Sequence, residues 1–264
     1  MKRFGLAFVA FLFFLSPAFA QDWAKQILEK STRHQEWVKV KSGDRTLNVF
    51  IVYPAVREKA PAVLVIHEIY GLSDWVRTVA DQLAANGYIA IAPDLLTGAG
   101  PNGGDTSAFA STQDSMRAVS GLPADQVTAD LNAVADYVKK LPAANGKLAV
   151  AGFCWGGGQS FRFATNRSDL SAAFVFYGTP PQDLGKINAP IYGFYAGTDG
   201  RIVQTIPDTI NAMKGAGKKY DPVTYDGADH GFMRRGMTPG DTNAANKTAL
   251  DQGWARWLAL LKTM

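Results

Sequence analysis

Cysteine is almost absent from this 264-residue chain: the only one is Cys154. A lone thiol cannot close an intrachain disulfide, so disulfide-stapled scaffolds are excluded. Histidine is nearly as scarce, at positions 34, 67 and 230 only. So few and so scattered ligands argue against a structural or catalytic zinc site. His67-Glu68 opens like a zinc-protease signature, but position 71 is a glycine where a second histidine is needed. The run Gly98-Ala99-Gly100-Pro101-Asn102-Gly103 spells G-x-G-x-x-G, yet Pro101 and the lack of a following amphipathic helix count against a dinucleotide loop. No metal and no cofactor is expected. Basic runs are missing as well, which argues against nucleic acid or a membrane surface as partner. There is no internal repeat, low-complexity tract or Pro/Ser-rich linker to mark a second domain.

The N-terminus carries a targeting pattern. Lys2 and Arg3 precede an almost unbroken apolar run, Leu6 to Leu15, too short for a stable bilayer anchor. Ala18-Phe19-Ala20 then reads as an A-x-A cleavage site, so a signal peptide over 1–20 is expected to leave a mature chain from Gln21. An uncleaved anchor is the alternative. Losing Lys2 and Arg3 lowers the formal charge from +4 to +2, because residues 1–20 hold no acid. The mature protein is expected in the periplasm or outside the cell, as a monomer.

Residues 21–264 have the length and apolar content of one large α/β domain. Strands are predicted at Leu47–Tyr53, Ala62–His67, Tyr88–Ala92, Lys147–Gly152, Ala172–Tyr177, Pro190–Ala196 and Lys219–Tyr225. Several are continuous Val/Ile/Ala/Phe runs, suited to strands buried on both faces. Leu47–Tyr53 alternates more and is placed toward an edge. Helices are predicted over Trp75–Asn86, with Ser73 as cap, and over Ala124–Leu141, Gly156–Thr165, Val203–Lys214 and Asn243–Leu261. Trp254 and Trp257, three apart on the last helix, read as core packing. Strand–helix alternation predicts a mostly parallel central sheet with helices on both faces. In such sheets the active site lies beyond the carboxyl ends of the strands.

Cys154 falls at such an end. It lies in Gly152-Phe153-Cys154-Trp155-Gly156-Gly157, between a β-type run and a helical stretch. Small residues close to the nucleophile are what a nucleophile elbow needs, here with cysteine in place of serine. A thiol nucleophile needs a base, and the base needs an orienting acid. His230, in Asp229-His230-Gly231-Phe232 after the last β-type run, is the candidate base. His34 has no motif around it, and His67 closes a buried strand and reads as structural. Asp199, in a tight turn after a strand, is the candidate acid; an Asx turn or helix cap is the competing reading. Asp226 and Asp229 are nearer His230 in sequence but poorly aimed.

Four motifs in this order resemble the dienelactone hydrolase family, a cysteine branch of the α/β-hydrolase fold. They are His67-Glu68-Ile69-Tyr70-Gly71, Ala92-Pro93-Asp94-Leu95, Gly152-Phe153-Cys154-Trp155-Gly156-Gly157 and Asp229-His230-Gly231-Phe232, and the similarity runs from about Trp37 to the C-terminus. The resemblance implies a Cys154-Asp199-His230 triad that forms an acyl-enzyme on an ester or lactone. It implies that Glu68 helps deprotonate Cys154. It matches Arg234 to a position that binds a substrate carboxylate, although Gly231 replaces a hydroxyl-bearing family residue. The general architecture of the fold makes the backbone N–H groups of Trp155 and Ile69 the oxyanion donors. Thr97–Leu122 reads as a lid or pocket wall, or else as a surface loop, with Arg117 a candidate second cation. A thioesterase or other carboxylic-ester hydrolase is the nearest alternative function, and a thiol redox sensor a more distant one.

Overall fold

A computed structural model describes residues 21–264; the expected signal peptide lies outside the described residues. Eight strands form one sheet: β1 (His34–Ser42), β2 (Arg45–Tyr53), β3 (Ala60–Ile66), β4 (Ile89–Pro93), β5 (Ala144–Phe153), β6 (Ala172–Phe176), β7 (Ile191–Ala196) and β8 (Tyr220–Tyr225). Their order is β1-β2-β4-β3-β5-β6-β7-β8. The six strands from β4 to β8 are mutually parallel, while β1 and β2 form an antiparallel arm at one edge. The helices are α1 (Asp22–Glu29), α2 (Asp74–Ala85), α3 (Thr112–Ser120), α4 (Ala124–Lys139), α5 (Trp155–Asn166), α6 (Gly200–Val203), α7 (Ile206–Gly215), α8 (Phe232–Arg235) and α9 (Ala244–Leu261).

The period-two alternation of the strands divides the interior into two cores. On β3, Val63 and Val65 face one layer while Ala62, Leu64 and Ile66 face the other. The first layer packs against Trp75 and Val79 of α2 and Trp257 of α9. The second packs against Leu131, Val134 and Val138 of α4 and Phe161 of α5. Each large side chain buried this way contributes about 1.5–3 kcal/mol relative to exposure. Trp257 is fully buried and stacks with Trp254 at 4.9 Å, as core packing requires.

Two parts of the N-terminal region depart from expectation. β1 was not predicted, because Lys39 and Lys41 are exposed on it, Gln35 and Glu36 are half-buried, and its apolar content is low. Lysines on an edge strand oppose pairing with other chains, so polarity here is compatible with a strand. β1 takes the edge position, and β2 lies one strand inside it. Ser73 occupies the cap position of α2 but makes no side-chain capping bond; the amide oxygen of Gln21 accepts from Trp75 N–H instead, at 3.1 Å. At the opposite edge, Pro222 is tolerated because β8 has only one neighbour.

Thr97–Leu122 is ordered by internal bonds. It holds two 3-10 turns and α3, and Thr106 clips it to the sheet. The Thr106 hydroxyl donates to Asp94 at 2.7 Å and accepts from Leu72 N–H at 3.0 Å. The segment therefore braces the loop after β3 from outside. Among the described residues, no helix is long and apolar enough to cross a membrane.

Candidate active site

The carboxyl ends of β3, β5, β6 and β7, and the loop after β8, converge on one cavity. Glu68 follows β3, Cys154 follows β5, Tyr177 follows β6, Asp199 follows β7 and His230 follows β8.

Cys154 sits at the sharp turn between β5 and α5 with φ +57° and ψ −116°. A non-glycine residue held there costs about 1–3 kcal/mol, which the surrounding contacts must over-determine. They do so through close approach. A Cβ on Gly152 would lie 1.9 Å from the Gly156 carbonyl oxygen, and one on Gly156 would lie 2.3 Å from that of His67. The flanking glycines are thus required by geometry. The backbone amides of Trp155 and Ile69 lie where they favour the thiolate form of Cys154.

His230 and Asp199 are joined directly. His230 Nδ1–H donates to Asp199 Oδ2 at 2.5 Å, which leaves Nε2 as the acceptor nitrogen. The two loops are tied together by Thr198, whose N–H and hydroxyl both donate to the Ala228 carbonyl, at 3.1 and 3.0 Å. Asp229 is turned away: its carboxylate accepts from Asn243 and Asn246 and pairs with Arg235. The aromatic edge of Tyr177 meets the His230 ring at 5.0 Å.

Glu68 is almost fully buried. Arg234 Nε donates to its Oε2 at 2.7 Å, and the guanidinium lies over the Tyr70 ring at 5.2 Å. Burial raises the Glu68 carboxyl above its ordinary pKa, while Arg234 pulls it back. Burial also pushes the Cys154 thiol up, and the Glu68 charge pushes it further; the two amides and Arg201 oppose this. Arg234 is therefore committed to Glu68 in this state, and Arg117 pairs with Asp114 on the surface.

His67 supports the turn. It is fully buried, its Nδ1–H donates to the Glu68 carbonyl at 2.7 Å, and its ring stacks on Trp155 at 5.4 Å. Burial lowers its pKa to about 4, so it stays neutral at ordinary pH.

The cavity beside Cys154 has a volume of about 360 Å³ and is lined by Ile69, Trp155, Tyr177 and His230 among others. Thr97–Leu122 contributes nothing to its lining, so its reading as a wall of this pocket is corrected: its clip to Asp94 and Leu72 holds it behind the β3 loop. Sequence reasoning missed Tyr177. It is fully buried, has φ +40°, and its hydroxyl has no hydrogen-bond partner among the described residues. The available signal was a tyrosine-glycine pair ending the strand next to the nucleophile's. Among the described residues, no group of His, Cys, Asp or Glu could hold a metal ion.

A parallel sheet with a strained cysteine elbow at its centre defines an α/β-hydrolase. The sequence matches the dienelactone hydrolase family over residues 47–264, and the chain belongs to that family. A Salmonella typhi protein described as "Putative carboxymethylenebutenolidase" is 34% identical over 212 residues, 75% of each chain. An Escherichia coli K12 protein of the same description is 32% identical over 216 residues, 76% of each. A crystal structure from Klebsiella pneumoniae, described as "Putative Dienelactone Hydrolase", superposes with a TM-score of 0.76 at 26% identity. The match covers 88% of this chain and all of that one.

Proposed function

We propose that this hydrolase cleaves a small carboxylic ester or lactone through a Cys154 acyl-enzyme. The observation that carries the reading is convergence: one cavity presents a strained thiol, two backbone amides that favour its thiolate and an imidazole held by Asp199. Its volume suits a small-molecule substrate.

Glu68 takes the thiol proton once it turns from Arg234 toward Cys154. The thiolate attacks the carbonyl carbon, and the displaced oxygen occupies the place between the Trp155 and Ile69 amides. Collapse breaks the ester C–O bond, and the departing oxygen takes a proton from solvent. His230 Nε2 then takes a proton from water, whose oxygen attacks the thioester. The C–S bond breaks, the acid leaves, His230 returns its proton to solvent and Glu68 reprotonates the thiolate. A pair of preorganised amide donors lowers such a barrier by about 3 kcal/mol per donor. Burial that raises the thiol's pKa disfavours a redox-sensor role, which requires a standing thiolate.

The test is a burst assay with an activated aryl ester, with mass spectrometry of the quenched enzyme. A mass increment equal to the acyl group on Cys154, absent in Cys154→Ala, is expected. Turnover retained in Cys154→Ala would overturn the nucleophile. Comparing rates on an aryl ester, a lactone and a thioester then ranks the ester reading against a thioesterase. We further propose export, with cleavage after Ala20; a mature protein whose N-terminal sequence starts elsewhere than Gln21 would refute that site.

A further inference from the structure

We propose that Tyr177 is a positioning residue of the acylation step: its hydroxyl holds the Glu68 carboxylate beside the Cys154 sulfur after Glu68 has left Arg234. The inference rests on reading Cys154 as the nucleophile and Glu68 as its base, and adds the group that steadies that base. Tyr177 directly follows β6 and lines the same cavity as Cys154 and His230. Its side chain is fully buried, yet its hydroxyl has no hydrogen-bond partner. Among the described residues, no other buried side-chain polar group without a partner lines that cavity. A buried hydroxyl left unpaired is costly, so one kept at a reactive site calls for a partner that arrives later.

The backbone places that hydroxyl at a cost. Tyr177 has φ +40°, a left-handed conformation that an aromatic residue rarely adopts. Cys154 shares the region at φ +57°, and the two turns are joined: Cys154 N–H donates to the carbonyl of Phe176, next to Tyr177, at 3.0 Å. Tyr177 N–H donates to the Phe194 carbonyl at 2.8 Å, and a Cβ on Gly178 would lie 2.2 Å from the backbone of Gly157 in the first turn of α5. Strain of this kind persists where the surroundings over-determine it, and it collects at functional sites. The ring is packed as firmly, edge-on to His230 at 5.0 Å and to Phe232 at 5.3 Å. The charged and titratable groups around Tyr177 come from four elements: Glu68 after β3, Cys154 after β5, His230 after β8 and Arg234 on α8. The charges of Glu68, Arg234 and Cys154 all reach the hydroxyl. These are the groups between which the Glu68 side chain and the thiol proton move. In the resting pair Arg234 supplies Glu68 with a donor at 2.7 Å. Once Glu68 leaves, the hydroxyl supplies one in its place. A hydroxyl both donates and accepts, so it serves the carboxylate before the proton moves and the carboxylic acid afterwards. Tyr177 keeps its own proton throughout, because burial holds its pKa well above the ordinary value.

Tyr177→Phe tests it, because it keeps the ring and its packing and removes only the hydroxyl. With an activated aryl ester in stopped flow, acylation should slow about tenfold, the loss of one hydrogen bond to a charged group, while deacylation keeps its rate. At saturating substrate the acid limb of the acylation pH profile should move to higher pH, because a carboxylate that loses a donor holds its proton more tightly. The melting temperature should rise, since an unpaired buried hydroxyl is gone; a merely structural hydroxyl would lower it on removal. In a Glu68→Gln background, Tyr177→Phe should slow acylation no further. An acylation rate or a pH profile unchanged in Tyr177→Phe, a lowered melting temperature, or an equal slowing in the Glu68→Gln background would overturn the proposal. Acylation at the wild-type rate in Glu68→Gln would instead overturn the base, and turnover surviving in Cys154→Ala the nucleophile, so the failures are told apart.

Discussion

Two carboxylate pairs near Cys154 look alike on paper and differ in state. In one, Asp199 holds the His230 imidazole at the cavity wall. In the other, Glu68 is buried against a guanidinium, and Arg234 has no place in the cavity lining. On the proposed mechanism the first pair acts without moving, and the second comes apart before Glu68 takes a proton. The thiol's pKa is raised first by burial of the sulfur and then by the Glu68 charge, both of which disfavour the thiolate.

Breaking the first pair should have the largest effect. On the proposed mechanism, His230→Ala removes the base of deacylation. Acyl-enzyme should accumulate, and kcat should fall by about 10³–10⁴. Asp199→Asn keeps the shape but favours the wrong imidazole tautomer, with a loss of similar order. Stopped-flow burst amplitudes check both. An intact burst with a lost steady state supports the assignment, and an unchanged steady state in either variant refutes it.

The second pair gives a smaller effect with opposite signs in two readouts. Glu68→Gln leaves Arg234 without its counter-charge. Because Arg234 is about a quarter exposed, the expected destabilisation is about 2–3 kcal/mol, below that of a wholly buried pair. Adding Arg234→Met should restore most of it. In Glu68→Gln the charge that raises the Cys154 pKa is gone, so alkylation of the thiol at pH 7 should speed up. Esterase turnover should slow, because the base is gone too. If both rates rise, Glu68 only suppresses the thiolate and is not its base.

The same contrast marks what the sequence reveals. The placement of Cys154, Asp199 and His230 beyond strand ends was legible because each follows a strand read from its own run of residues, and because Gly152 and Gly156 leave a local signature. The seven predicted strands recur within a few residues of their predicted ends for the same reason. β1 was illegible because an edge strand needs only one buried face and here carries charge on the other. Arg201 was illegible because nothing local distinguishes it, and Tyr177 offered only the tyrosine-glycine pair at its strand end; tertiary folding puts one beside the cavity and buries the other's hydroxyl. The pairing of Arg234 with Glu68 joins residues 166 apart and could not be read from spacing.

A last predicted effect, confined to stability and to mildly acidic pH, concerns the supports behind these pairs. Asp94, which clips Thr106, has its pKa raised to about 6 by burial, with the Thr106 donors opposing. Its folded state binds the proton more tightly than the unfolded state, whose carboxyl titrates near 3.9. It therefore contributes stability at low pH that is lost as pH rises from about 4 through 6. His67 has the opposite sign: its folded pKa is lowered to about 4, below the unfolded value near 6.5. It contributes stability present above that value and lost as pH falls through 4. The two slopes oppose each other between pH 4 and 6, so the wild-type melting temperature should be nearly flat there. Asp94→Asn should expose the His67 slope, with stability rising by about 2–3 kcal/mol from pH 4 to 6.5. His67→Phe should expose the falling slope of Asp94. Thermal melts of the three proteins across that window decide it: parallel profiles would mean that neither group carries the shift its burial dictates.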